Sequence, residues 1–231
     1  ININYLRYLY RVKGNWFFGA HGVMTNYTAS AGDPTMDDVL DLLGLAGFQS
    51  NALGLFALYD SRDNTRSASS GSQFKLNNLA YREGLGGDSS FDVLQTEYDI
   101  YRQWIGQQVT AIQVKGRWTS DAPNSAYSSI ELNGYTRGEL LAEHMTHLVA
   151  DQRILFYPRW GMTVTAGAAC LYGDDVFDQN QDCFDRDNLY PSLATGGIFV
   201  LKPKEKMVVR AELATAKGGR YAFYLSFGQP F

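Results

Sequence analysis

Residues 221–231 alternate with a period of two. Tyr221, Phe223, Leu225, Phe227 and Phe231 fall on one side, broken only by Gln229. Ala222, Tyr224, Ser226, Gly228 and Pro230 fall on the other. That period belongs to a β-strand and puts each set on its own face. The preceding segment behaves alike: Met207, Val209, Ala211 and Leu213 oppose Arg210 and Glu212. In 91–104, Leu94, Thr96, Tyr98 and Ile100 oppose Gln95, Glu97 and Asp99, and in 108–118, Thr110, Ile112, Val114 and Trp118 oppose Gln113, Lys115 and Arg117. Charges of both signs on the polar faces suit a wet or plugged lumen behind an apolar outer wall. A soluble sandwich would also leave such charges to water, so alternation alone does not decide. The ending on Phe231 favours the barrel, because a fraying soluble terminus gains little from an aromatic.

The same period and the turn residues predict eleven strands, over 3–13, 16–30, 50–62, 71–82, 91–104, 108–120, 137–150, 154–172, 191–203, 206–216 and 220–231. Short connections (13–15, 63–70, 105–107, 150–153, 202–206) alternate with long ones (31–49, 83–90, 121–136, 173–190). Short periplasmic turns and long extracellular loops sort this way in outer-membrane barrels, and a sandwich has no reason to sort them. The one helical pattern runs from Met36 to Gly44, with Asp33 as its cap and Gly44 as its stop. The expected fold is therefore all-β: a transmembrane antiparallel up-and-down β-barrel of about 11–12 strands, one domain over residues 1–231. The alternative is part of a 16-stranded barrel.

Composition agrees. Mean hydropathy is −0.25 and no apolar run approaches the roughly 20 residues of a membrane helix. Aromatics reach 14%, which supplies interfacial girdles. A net charge of −4 offers no basic field for nucleic acid. The chain starts at Ile1 without a signal segment, so a removed leader is expected.

Little in the sequence points to catalysis. His144 and His147 are three apart and point to opposite faces of a strand, so they cannot share a metal. No exposed His-x-Ser cluster supports hydrolysis. Asp178, Asn180 and Asp182 place oxygen ligands at alternate positions, a weak Ca²⁺ pattern beside the plainer reading of a solvated acidic loop. No metal and no cofactor is expected. Cys170 and Cys183 allow either a disulfide, in an oxidising compartment, or two thiols.

Three segments resemble one family, the outer-membrane assembly and secretion superfamily of BamA, TamA and FhaC, also called bacterial surface antigens. The resemblance runs from about Leu53 to Phe231. The turn signature is Asp60, Arg62, Asp63 and Asn64 followed by Gly71, with Asp60 and Arg62 two apart so that both enter the lumen and pair. The family's usual proline before the glycine is replaced here by Ala68 and Ser69. The second segment, Leu132, Asn133, Gly134, Tyr135, Arg137 and Gly138, resembles a loop motif that folds into the lumen of relatives, where its arginine meets a wall aspartate. Asn133 stands for that arginine, and Gly167 or Ala168 stands near the aspartate. A paired loss is physically reasonable, since an aspartate left alone in the lumen is costly. Arg137, Glu139, Glu143 and His147 could rebuild a polar lumen anchor, with Glu143 and His147 on one strand face; the plainer reading is that Gly134 and Gly138 only shape the loop. The third segment is the last hairpin, whose Phe223, Leu225, Phe227 and Phe231 resemble the terminal signal read by the barrel assembly machinery, by β-augmentation.

Five strands follow the loop motif, as in the family, but six precede it where the family has eleven, and no POTRA segment is present. The resemblance implies the outer membrane of a Gram-negative bacterium, with lipids and lipopolysaccharide around the barrel. It implies a non-enzymatic role in inserting or translocating a client polypeptide. The alternative is a passive or plugged pore, or an anchor for another domain.

Overall fold

In a computed structural model of the chain, the described residues are 2–28, 32–42, 47–177, 179–183, 185–229 and 231. Eleven long strands form one antiparallel meander: β1 (Asn2–Lys13), β2 (Trp16–Thr28), β3 (Gly47–Asp60), β4 (Gly71–Tyr81), β5 (Phe91–Gln103), β6 (Gln108–Ser120), β8 (Leu141–Leu155), β9 (Trp160–Asp175), β11 (Leu189–Lys202), β12 (Met207–Ala216) and β13 (Arg220–Phe227). Two bridges, β7 (Ser128–Ser129) and β10 (Asn180–Gln181), pair with β8 and β9 from within long loops. The up-and-down order follows from the short turns, which let each strand bond its chain neighbour. β1 and β13 are the two edges, and no partner pairs with either outer edge among the described residues. The sheet is therefore open. Both edge strands run from the long-loop end to the short-turn end, so they cannot close antiparallel on each other.

The sheet is strongly curved. Lys206, in the β11–β12 turn, bonds Asp63 in the β3–β4 turn at 2.7 Å, across the lumen mouth. On β12, Val208, Arg210, Glu212 and Ala214 are buried inside while Leu213 is exposed outside, which is the face assignment read from the alternation. Exposed Ile100, Leu94, Leu193, Leu213, Phe223 and Phe227 continue the apolar outer wall. From Trp160 to Tyr172, both outward on β9, is roughly 40 Å of strand, or about 30 Å along the normal at a ~40° tilt, matching a bilayer core. No helix among the described residues is long and apolar enough to cross a membrane. The one α-helix, Pro34–Leu42, begins where Asp33 Oδ1 accepts the N–H groups of Thr35 and Met36. Its expected stop, Gly44, lies outside the described residues, as do positions 29 and 30 of the second expected strand.

Two expectations are corrected. The turn read at 150–153 lies at 156–159, and β8 extends to Leu155. Asp151 and Arg153 are not turn residues but an ion pair inside the wall, at 2.5 Å. The last strand stops at Phe227. Gly228 takes φ +97°, which turns the tail inward, and Phe231 packs among lumenal Ala68, Tyr101 and Ala111 instead of facing lipid. Pro230 lies outside the described residues. Ala142 pairs with Asp175 and His144 with Tyr172, so the bulge between these pairs carries its extra residue on β9, beside Gly173 at φ +82°, and the alternation of Glu143, Met145 and His147 along β8 is not interrupted.

Candidate functional site: a plugged lumen

The loop between β6 and β8, residues 121–140, folds into the lumen. Its sequence makes that favourable: Ile130, Leu132 and Tyr135 are apolar and need a surface. They bury against Met145 and Val149 of β8 and Ala169 and Leu171 of β9. Leu132 lies over Gly167, where a Cβ would come within 3.2 Å of its Cδ2. An apolar contact thus occupies the place where the resemblance implied an arginine–aspartate pair.

Hydrogen bonds fix the tip. Ser192 Oγ donates to the Asn133 carbonyl at 2.5 Å, and the Gly134 N–H donates to Tyr224 Oη at 2.9 Å. Tyr135 Oη donates to the Pro191 carbonyl at 2.8 Å and accepts from the Lys217 N–H at 3.2 Å. The tip therefore spans β9, β11 and the β12–β13 hairpin. Gly134 needs its glycine twice over: φ is +92°, and a Cβ would sit 2.8 Å from the Ala216 Cβ. Gly138 also has a positive φ, +80°, with open space around it. Burial pushes the Tyr135 phenol up from its ordinary pKa.

At its base the loop is held by charge. Glu131 pairs with Lys115 of β6, and Arg137 lies 3.7 Å behind. Burial opposes the Glu131 charge, but Lys115 and then Arg137 outweigh it and hold the carboxyl below its usual range. Arg137 itself is mostly exposed, and Glu139 pairs with Arg220 at the loop rim, at 2.5 Å. His147 bonds Gln113 at 3.1 Å inside the barrel, whereas Glu143 accepts the Asp174 N–H at 3.3 Å. Of the four residues read as one lumen anchor, Arg137 and His147 line one cavity with Glu131, while Glu139 lies at the rim and Glu143 beside Asp174.

The turn signature is compact. Arg62 binds Asp60 through Nε at 3.0 Å and Nη2 at 2.8 Å, and Gln73 adds a third bond to Asp60. Asn64 Oδ1 accepts the N–H groups of Arg66 and Ser67, and Asp63 Oδ1 accepts those of Ser69 and Ser70. Gly71 closes the turn at φ +96° against the Ser61 carbonyl. Partial burial opposes the Asp63 charge, but Lys206, the Ser69 hydroxyl and the two N–H groups outweigh it and hold its carboxyl well below the carboxylate range.

The most buried polar group is one that sequence reasoning split up. Arg210 bonds Asp151 twice, at 2.8 and 3.1 Å, and Glu212 twice, at 2.7 and 3.1 Å. Thr163 and Thr165 donate to Asp151 Oδ1 at 2.8 and 2.7 Å. Arg153 joins from the other side and reaches the main-chain oxygens of Ala68 and Phe231. Gln229 Oε1 accepts from Arg210 at 2.8 Å. Two cations and two carboxylates, all under 5% exposed, cancel in charge. The available signal was opposite charge at i and i+2, the spacing already read in Asp60 and Arg62. At the loop base lies a cavity of about 270 Å³, lined by Lys75, Glu97, Asp99, Lys115, Glu131 and Phe231 among others.

Cys170 and Cys183 form a disulfide, with Cα atoms 5.2 Å apart. It ties the acidic loop after β9 to the outward side of that strand. Asp178 lies outside the described residues, and no group of three metal-ligating side chains gathers among the described ones.

No protein-family model and no curated protein sequence matches the chain. Among solved structures, the chain is similar to the crystal structure of BamA from Haemophilus ducreyi lacking POTRA domains 1–3, with a TM-score of 0.63 at 12% identity over 93% of this chain. The chain spans 50% of that structure's length. The likeness is one of fold: an antiparallel β-barrel sheet of the BamA type.

Proposed function

We propose that the chain works in the outer membrane of a Gram-negative bacterium as a non-enzymatic barrel that inserts or translocates polypeptides. The observation that carries this reading is the unpaired edge of β13. Its outward residues Tyr221, Phe223, Leu225 and Phe227 are 62–83% exposed, and among the described residues no strand pairs with its outer edge. Such an edge recruits another strand by main-chain hydrogen bonds. Because β1 runs parallel to β13, an antiparallel strand fits between them, and a client strand entering from the short-turn end has the right direction. In this reading the barrel assembly machinery reads Phe223, Leu225 and Phe227 during biogenesis, and lipid and lipopolysaccharide cover the outer wall.

The filled lumen favours a second reading, a plugged pore or membrane anchor for another domain. Reconstitution in liposomes separates the two, with client-barrel insertion and ion conductance measured on the same preparation. Insertion above that of empty liposomes is the expected result. Conductance without insertion would sink the insertion reading.

A further inference from the structure

The geometry points to a binding rim for anionic phospholipid headgroups around the short-turn end of the barrel. This needs only that the barrel spans a bilayer, so it stands or falls separately from polypeptide insertion.

The charge of the chain is sorted along the barrel axis. Segments 13–15, 61–70, 102–107, 156–159 and 202–206 hold eight Lys and Arg against two carboxylates, and the long-loop segments 29–46, 82–90, 121–140, 176–188 and 217–219 hold four against thirteen. Both carboxylates of the short-turn segments are already engaged, Asp63 by Lys206 and Glu205 by Lys202, and Asp60 at the end of β3 is engaged by Arg62. Lys13, Arg66, Arg102, Arg159 and Lys204 are exposed and have no carboxylate partner among the described residues. A chain with net charge −4 therefore presents a ring of free cations at one end.

The depth of that ring is set by aromatic side chains. Trp104 is 51% exposed, and its indole N–H donates to Thr110 Oγ1 at 2.8 Å, which pins the ring along the outer wall. The Arg102 guanidinium lies 4.6 Å from the same ring. Trp160 stands 4.6 Å from Phe199, with Tyr157 exposed beside it and Arg159 between them in sequence. Trp16 packs on Phe18 and Tyr59 at the next turn. Amphipathic rings of this kind settle at the headgroup level. Arg102, whose guanidinium stacks on Trp104, and Arg159, next to Trp160, are thereby held at the headgroup level, where each Lys or Arg gains about 1 kcal/mol from an anionic surface. The cations are distributed over successive short turns of the sheet. A lipid leaflet offers negative charge in that planar arrangement, whereas an acidic protein would engage one compact patch.

The test uses the full chain in vesicles of phosphatidylcholine with a fixed fraction of phosphatidylglycerol. Only the bromination is moved, from one lipid to the other, and tryptophan quenching is read. Quenching is expected to favour brominated phosphatidylglycerol by roughly threefold in relative association. The preference should fall towards unity in about 1 M salt. It should also fall in Arg102→Gln/Arg159→Gln/Lys204→Gln, and persist in the corresponding Arg102→Lys/Arg159→Lys variant. Equal quenching by both lipids in the unmodified protein overturns the proposal and leaves an acidic protein as the occupant. A preference unchanged in the triple Gln variant also overturns it, since the selectivity would lie elsewhere on the wall.

Discussion

Replacing Arg210 with Met removes the hub of the buried network. The guanidinium makes two bonds to Asp151, two to Glu212 and one to Gln229, and it is 1% exposed. Arg153 still faces Asp151 after the change, but Glu212 keeps no cation and stays 4% exposed. The cluster goes from neutral to one net negative charge inside the wall. Removing one partner of a buried ion pair costs about 3–5 kcal/mol, because the other is left desolvated and uncompensated. Against a total stability of about 5–15 kcal/mol that is a large loss. A second change, Glu212→Gln in the same chain, restores neutrality. It should recover about half of the loss, about 2 kcal/mol, since an amide costs less to bury than a carboxylate. Equilibrium unfolding in urea, followed by the gel mobility of the folded barrel in detergent, gives both values. A single variant that loses under about 1 kcal/mol would mean that lumenal water screens these charges, and a double variant as unstable as the single would mean that packing, not charge, holds the site.

The remaining expectations concern the plug, the short-turn mouth and the tethered loop. Gly134→Ala puts a methyl 2.8 Å from the Ala216 Cβ at φ +92°, so the tip should lift, lowering stability by about 1–2 kcal/mol and raising single-channel conductance in planar bilayers. Asp63 has a depressed carboxyl pKa in the folded state, so its contribution is complete above the unfolded value of about 3.9 and is lost as pH falls below it. Asp63→Asn should flatten the pH dependence of the urea midpoint in that acid range and leave the slope above about pH 5 unchanged. Cys183→Ser opens a tether across a sequence separation of 13 and should cost up to about 3 kcal/mol. Trypsin should then cut at the exposed Arg186 faster than in the oxidised protein.

The strands were legible because period-two alternation and turn residues agreed over most of the chain, and β1 to β6 lie within three residues of their expected bounds. Where reading failed, a polar residue had a partner that no local pattern reveals. Asp151 and Arg153 looked like a hydrated turn, yet they meet Arg210, which is 59 residues from Asp151. The tail did carry a signal: alternation breaks at Gln229, one residue after the glycine that ends β13. The plug carried one too, since Ile130, Leu132 and Tyr135 make the long loop apolar, which water alone would not tolerate at its tip. Two inner-wall pairs share one signature, opposite charges two residues apart: Asp151 with Arg153, and Arg210 with Glu212. On a strand that spacing puts both charges on one face at neighbouring positions, so each pair is locally neutral before the sheet forms. Opposite charge at i and i+2 within an otherwise alternating segment is therefore evidence for continuing the strand, and applied to 150–153 it moves the turn to 156–159.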